Sequence, residues 1–336
     1  MDKLSVAILG STGVVGKKFI DILKNHPWFK IDGLYASGSS NGKKITVDSV
    51  EKEVHLSDPE LISRENFDLI FSAVSDEHST ILEKELRKRN QRVFTNASGN
   101  RMEKDVPLVV PELNYEKLMD IQHKKGYIVA NGNCSTIGAI LGSYPSFDYW
   151  ENDMVITTLQ AVSGAGYPGI PSLDIIGNVI PYIPKEEEKI RKETLKILEF
   201  KERENFNPGK FEISSTTTRV PVHSGHMISL SVRVKENVKE PEILQSFEEF
   251  KNGNILGNYP SLPEKSVELL KEIDRPQPAL DCNFWDYKKE MAVRVGRVRL
   301  DKRRLSMIIL VNNLVRGAAG ASILNAEIVL KMEGLI

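Results

Sequence analysis

The chain has 336 residues but only two cysteines, Cys134 and Cys282, so no disulfide framework can staple it. That scarcity suits a reducing, cytoplasmic setting. Long apolar runs are missing as well. The first breaks at Gly10 and no later one approaches about 18 residues, which argues against a signal segment or a membrane span. Charge of one sign is absent: 45 basic residues against 46 acidic ones leave a formal net charge of −1. Such a surface has no general attraction for nucleic acid or for an anionic membrane. No Cys/His cluster has zinc spacing, so no metal is expected. Recognition must come from local sites.

The chain does have enough apolar residues, 40% of the total, to build a packed interior, and its length suggests two domains. The first 130 residues alternate short β-branched runs with helical stretches. Strands are predicted at Val6–Leu9, Ile31–Ala36, Leu69–Val74, Val93–Asn96, Leu108–Val110 and Ile128–Ala130. Helices are expected between them at Val14–Leu23 and Asp76–Arg89, with Asp76 placed to cap the second. This alternation implies a doubly wound parallel sheet of the Rossmann type. After residue 150 the strands lengthen and alternate: Val155–Ala161, Ile213–Val220, Met227–Val234, Met291–Leu300 and Leu305–Asn312. Alternation of this kind belongs to a half-buried, mainly antiparallel sheet. A charged helix is expected over Lys185–Lys201, long loops with one short helix over 251–290, and a last helix, Ala318–Met332, that returns to the first unit. The expected division is 1–132, completed by 315–336, for nucleotide binding, and 133–314 for catalysis and dimerisation.

Gly10-Ser11-Thr12-Gly13-Val14-Val15-Gly16 follows the first strand and opens a helix. Glycines there let a pyrophosphate approach the backbone N–H groups at the helix N-terminus. In NAD sites an acid near the end of the second strand bonds the ribose hydroxyl. Here that strand runs into Ser37, Ser39, Ser40 and Lys43, with no acid, which favours the 2′-phosphate of NADP. Farther on, Asn133-Cys134-Ser135-Thr136 lies between a strand and an apolar helical run. A cysteine at a helix N-terminus is favoured as thiolate and makes a nucleophile. Two histidines, His223 and His226, lie in the turn between two strands and either could serve it as a proton shuttle.

Taken in order, the glycine turn, Asn133–Thr136, Gln160-Ala161-Val162-Ser163-Gly164-Ala165-Gly166 and the Arg219/His226 pair resemble aspartate-semialdehyde dehydrogenases. Tyr167–Asp174 and Arg316-Gly317-Ala318-Ala319-Gly320 are similar to the archaeal and fungal branch. The resemblance runs nearly end to end. It implies that His226 rather than His223 is the acid/base and that Gln160 orients the substrate. It also implies that Arg101 and Lys196 bind phosphate, Arg219 the α-carboxylate and Glu193 the α-ammonium. Glu186 and Lys189 repeat the Glu193/Lys196 spacing, so two registers fit the charged helix. The same resemblance extends the cofactor site to Ser72, Ser163, Gly164 and Asn313. Two departures stand out: Gly38-Ser39 replace an arginine frequent in the family, and Ser72–Ser75 lack a frequent proline.

The implied reaction is the NADPH-dependent reductive dephosphorylation of L-aspartyl-4-phosphate to L-aspartate 4-semialdehyde through a Cys134 thioester. It serves biosynthesis of lysine, threonine, methionine and isoleucine, and the implied partners are the small substrate, phosphate and further copies in a homodimer or homotetramer. The thioester's oxyanion is expected to meet free N–H groups of the cysteine helix. Rival chemistries on the same scaffold are malonyl-CoA reductase and N-acetylglutamyl-phosphate reductase, neither of which needs a carboxylate for an ammonium group. A cysteine hydrolase would not need the glycine turn, and a nucleotide-sensing protein would not need a poised thiol.

Overall fold

The computed structural model describes residues 2–199, 207–253, 255, 257–282 and 286–336. Eight strands form the first sheet: β1 Leu4–Leu9, β2 Phe29–Ala36, β3 Lys44–Val47, β4 Val50–Leu56, β5 Leu69–Ser72, β6 Arg92–Thr95, β7 Leu108–Val109 and β8 Tyr127–Asn131. Their order is β3-β4-β2-β1-β5-β6-β8-β7, parallel except for the β3–β4 hairpin. The central strands are buried on both faces, which is why β5 reads as the unbroken run Leu-Ile-Phe-Ser. The chain runs outward from β1 through β2 and β4, then crosses back to β5 on the other side of β1. That reversal opens a crevice at the carboxyl ends of the strands, beside the glycine turn.

Six strands form the second sheet: β9 Trp150–Gln160, β10 Glu212–Arg219, β11 His226–Val234, β12 Val267–Leu269, β13 Val293–Asp301 and β14 Arg304–Val311. Their order is β10-β9-β11-β14-β13-β12, with antiparallel pairing except at the two edges, where β10 and β12 run parallel to their neighbours. In β11 Ile228, Leu230 and Val232 face the core while Ser229 and Arg233 are exposed, so one sheet face is covered and the other is open. The helix Cys134–Ser143 covers it. That helix leaves β8 of the first sheet and packs on β11, β13 and β14 of the second. Its glycines permit the close fit: a Cβ on Gly138 would stand 2.5 Å from Val311 Cγ1.

The predicted strands are found within a few residues of their expected ends. The charged helix spans Glu186–Leu198, and its expected end at Lys201 lies outside the described residues. Several features differ from expectation. The β3–β4 hairpin and the helix Glu240–Glu249 stand where no element was expected. The 251–290 stretch, read as loops with one short helix, holds β12 and the short helices Pro278–Asp281 and Tyr287–Glu290. Ser75, not Asp76, occupies the N-cap of the Asp76–Lys88 helix, because the Asp76 carboxylate is engaged by Ser98 N and Lys189 Nζ.

Candidate active site

A cleft of about 1240 Å³ runs from the glycine turn to Cys134. Its floor is made by the carboxyl ends of parallel strands: Gly10 and Thr12–Val15 after β1, Ala36–Gly38 after β2, Ala73–Asp76 after β5, Asn96–Ser98 after β6. Two glycines of the turn have no substitute. Gly10 has φ +74°, and a Cβ at Gly16 would collide with the Gly10 carbonyl. Val14 and Val15 border the cleft, and so do Ser37, Ser163, Gly164 and Asn313.

Some expected cofactor contacts face elsewhere. Ser11 is buried and its Oγ donates to Tyr35 O; Ser72 is buried and donates to Glu83. Neither hydroxyl is free for a dinucleotide. Ser39, Ser40 and Lys43 do not border the cleft. Lys43 Nζ donates to Ser40 Oγ at 3.4 Å and Thr12 Oγ1 to Ser40 Oγ at 3.3 Å, so they brace the turn from behind.

Cys134 is the first residue of its helix and borders the cleft. Asn133 caps that helix: its Oδ1 accepts from Ser135 N at 2.9 Å and Thr136 N at 3.1 Å. The cap thus occupies two of the N–H groups expected to meet an oxyanion, those of Ser135 and Thr136. The expected bias toward thiolate meets opposing influences in this cleft. Burial pushes the thiol up to about 12, Glu186 adds to the rise, and Arg101, Arg219 and the Ser135 N–H only partly oppose it. Charge and desolvation outweigh the helix end.

His226 opens β11 and is fully buried. Its Nδ1 accepts a bond from Ala161 N at 3.1 Å. A backbone N–H only donates, so the neutral ring carries its hydrogen on Nε2. That Nε2 has no partner among the described residues. Gly164, on the cleft wall, lies over it: an added Cβ would stand 3.0 Å from Nε2 and 2.9 Å from Arg219 Nη1. Burial, then the Arg219 charge, press the imidazole down to about 3. In its neutral form the ring thus holds Nε2 as a donor just behind Gly164, outside the cleft lining. His223 bonds instead to Ser224 Oγ at 2.8 Å and lies outside the cleft lining.

Of the two registers on the charged helix, Glu186 and Lys189 border the cleft and Glu193 and Lys196 do not. Glu186 Oε1 accepts from Asn133 Nδ2 at 2.7 Å and from Gln160 Nε2 at 3.1 Å. Among the described residues no cation lies within ion-pair distance of it, and none of their carboxylates pairs with Arg219, whose Nη1 donates to Ala161 O at 2.8 Å. Lys189 reaches Asp76 Oδ2 at 3.1 Å across the cleft. Lys196 is spent elsewhere: its Nζ donates to the carbonyls of Arg101, Glu103 and Val106 at 2.6, 2.7 and 2.9 Å. It fixes a loop and leaves no hydrogen for a phosphate. Glu193 is bonded by Arg101 and by Asn133 N, which leaves it unfit to hold an ammonium group. Asn313 joins the walls, donating to Ser163 Oγ at 2.9 Å and accepting from Gly225 N at 3.0 Å.

The contributions of Gly317 and Asn133 went unread in the sequence. A Cβ on Gly317 would sit 2.5 Å from Cys134 Cβ. The small-residue run after Asn313 was the available signal for the first, and an asparagine directly before a helix for the second.

The family described as semialdehyde dehydrogenase, NAD binding domain, matches residues 5–121, and semialdehyde dehydrogenase, dimerisation domain, matches 145–316. The aspartate-semialdehyde dehydrogenase of Archaeoglobus fulgidus is 40% identical, covering 98% of each chain. That of Saccharomyces cerevisiae is 35% identical, again over 98% of each. The structure of aspartate semialdehyde dehydrogenase with NADP from Candida albicans superposes with a TM-score of 0.86 at 32% identity, covering 100% of both chains. With two sheets, their order of motifs and full-length likeness in agreement, the chain belongs to the aspartate-semialdehyde dehydrogenase family.

Proposed function

We propose that the protein reduces L-aspartyl-4-phosphate to L-aspartate 4-semialdehyde with NADPH, through a thioester on Cys134, and so feeds synthesis of the amino acids made from that aldehyde. One observation carries this reading. The thiol shares its cleft with a carboxylate, Glu186, and a guanidinium, Arg219, both near enough to act on it, and neither has an ionic partner among the described residues. That pair complements the ammonium and carboxylate of an α-amino acid, which a coenzyme A thioester or an acylated amine lacks. Lys189 and Arg101 supply the positive charge for phosphate at the same cleft.

Thiol and acyl phosphate balance without an outside base. Sulfur bonds the acyl carbon, the C–O bond to phosphate breaks, and the thiol proton leaves on the phosphate. The unpaired His226 Nε2–H behind Gly164 is the donor this reading assigns to the oxygen that becomes charged at each tetrahedral stage, and one such donor is worth roughly 3 kcal/mol. After reduction, collapse expels the sulfur and water returns its proton. The glycine cradle fits a dinucleotide, because a Cβ at Gly10 or Gly16 would fill it. Ser37, with no acid beside it in the cleft after β2, suits the 2′-phosphate of NADP. Bound there, NADPH supplies hydride to the acyl carbon. Residues 1–132 with 315–336 serve as the cofactor half and 133–314 as the catalytic half. The open face of the second sheet, where Val155 and Ser229 are exposed, suits a homodimer or homotetramer.

The test is NADP⁺ reduction by aspartate semialdehyde, with and without phosphate, with an NAD⁺ arm and a separate arm that follows NADPH oxidation by malonyl-CoA. Turnover is expected to require aldehyde, NADP⁺ and phosphate together. Equal rates without phosphate, or preference for malonyl-CoA, would refute the assignment.

A further inference from the structure

Glu193 is one of the most enclosed carboxylates in the molecule, 2% exposed, yet it stands just behind the cleft. Its Oε1 accepts from Arg101 Nη1 at 2.9 Å, and its Oε2 accepts from Asn133 N at 2.6 Å. The three residues come from three places: the loop after β6, the turn after β8, and the helix Glu186–Leu198. Arg101 has one further anchor, Nη2 to Asn96 O at 2.5 Å. Its Nε is left without a partner among the described residues, although Arg101 borders the cleft. A buried guanidinium clamped at both terminal nitrogens thus keeps unused hydrogen-bonding capacity beside the cleft.

We propose that Glu193 is a positioning residue that holds Arg101 in the orientation required to bind phosphate, and ties that arginine to the residue preceding the nucleophile. The proposal rests on the reading of Arg101 as a phosphate ligand. Substrate does not touch Glu193. Its two oxygens serve two separate tasks, and an amide separates them. Gln at 193 retains an oxygen for Asn133 N–H but turns an NH₂ toward Arg101, setting donor against donor.

The test uses the whole enzyme and two readouts. In turnover with aspartate semialdehyde, Glu193→Gln is expected to raise the KM for phosphate, on the order of a hundredfold if the arginine shifts by about an ångström. The KM for NADP⁺ is expected to stay at the wild-type value, which a loss of general folding would not spare. In the second readout, inorganic phosphate alone protects Cys134 from iodoacetamide, and Glu193→Gln is expected to lose that protection. A cycle with Arg101→Gln separates positioning from bulk effect: on that background Glu193→Gln is expected to change phosphate dependence no further. The double variant carries no unpaired buried charge, so comparing it with Arg101→Gln serves if Glu193→Gln alone fails to fold. Wild-type phosphate KM and protection in Glu193→Gln would overturn the proposal, as would a double variant worse than Arg101→Gln by the full single-variant factor. If wild-type enzyme ignored phosphate in turnover, the acyl-phosphate reading would fail instead, while the protection assay would still decide whether Glu193 orients an anion-binding arginine.

Discussion

His226 is held neutral by its surroundings, and this has a consequence for stability. Its folded value is depressed to about 3, by burial first and Arg219 second, while the unfolded ring titrates near 6.5. Above about pH 6.5 both states are neutral there and the full contribution is present. As pH falls, the unfolded chain binds a proton that the folded ring refuses, and stability drops by about 1.4 kcal/mol per pH unit until the folded value is reached. Asn in place of His226 keeps an acceptor for Ala161 N–H and removes the titration. Between pH 6.5 and 5 the acid loss measured by urea unfolding is expected to be about 2 kcal/mol smaller in His226→Asn than in wild type. Equal losses would mean that the ring takes up a proton in the fold. At this scale the sequence is partly legible. Cys134, Gln160 and Arg219 are marked by their local motifs, and all three border one cleft. The charged helix is not legible in the same way: Glu186 and Glu193 differ by two helical turns, so periodicity puts both on one face. Only the strands and loops packed against that face decide that Glu186 is open to the cleft and Glu193 closed off.

Among the elements, the turn that precedes the last helix bears most directly on the nucleophile. Val315–Ala319 forms a π-helical turn, a local widening frequent at functional sites, and Gly317 within it backs onto Cys134. Alanine at 317 would put its Cβ 2.5 Å from that of Cys134, and the cysteine or its helix must shift. Gly317→Ala is accordingly expected to lower kcat on the order of a hundredfold while changing the KM for NADP⁺ little. Unaltered kcat would show that the helix start tolerates displacement. No local pattern announces a π-turn, and the helix after it is buried on every side from Gly320 to Leu330, which erases the amphipathic stripe that would mark its bounds. The β3–β4 hairpin escaped notice for the opposite reason. Only Val47 and Val54 are fully buried among its eleven strand residues, so its charged sequence reads as a loop. Parallel strands buried on both faces, by contrast, announce themselves as compact apolar runs.

For the whole molecule, the two-sheet division was readable because the patterns themselves differ, compact runs before residue 131 and long alternation after 150. What could not be read was how the halves meet. The Cys134–Ser143 helix leaves the first sheet and covers the second, and a buried Arg316–Glu112 pair, at 2.8 and 2.5 Å with both side chains fully enclosed, ties the segment after β14 to the first unit. This joint sets a thiol at the far end of a cleft whose other end is a dinucleotide cradle. The most direct test of that arrangement is intact-protein and peptide mass spectrometry after mixing enzyme with aspartate semialdehyde and NADP⁺ in the absence of phosphate. One aspartyl group is expected on the peptide containing Cys134, removed when phosphate is added. NADPH formed with no adduct at Cys134, or full turnover by Cys134→Ala, would contradict the account.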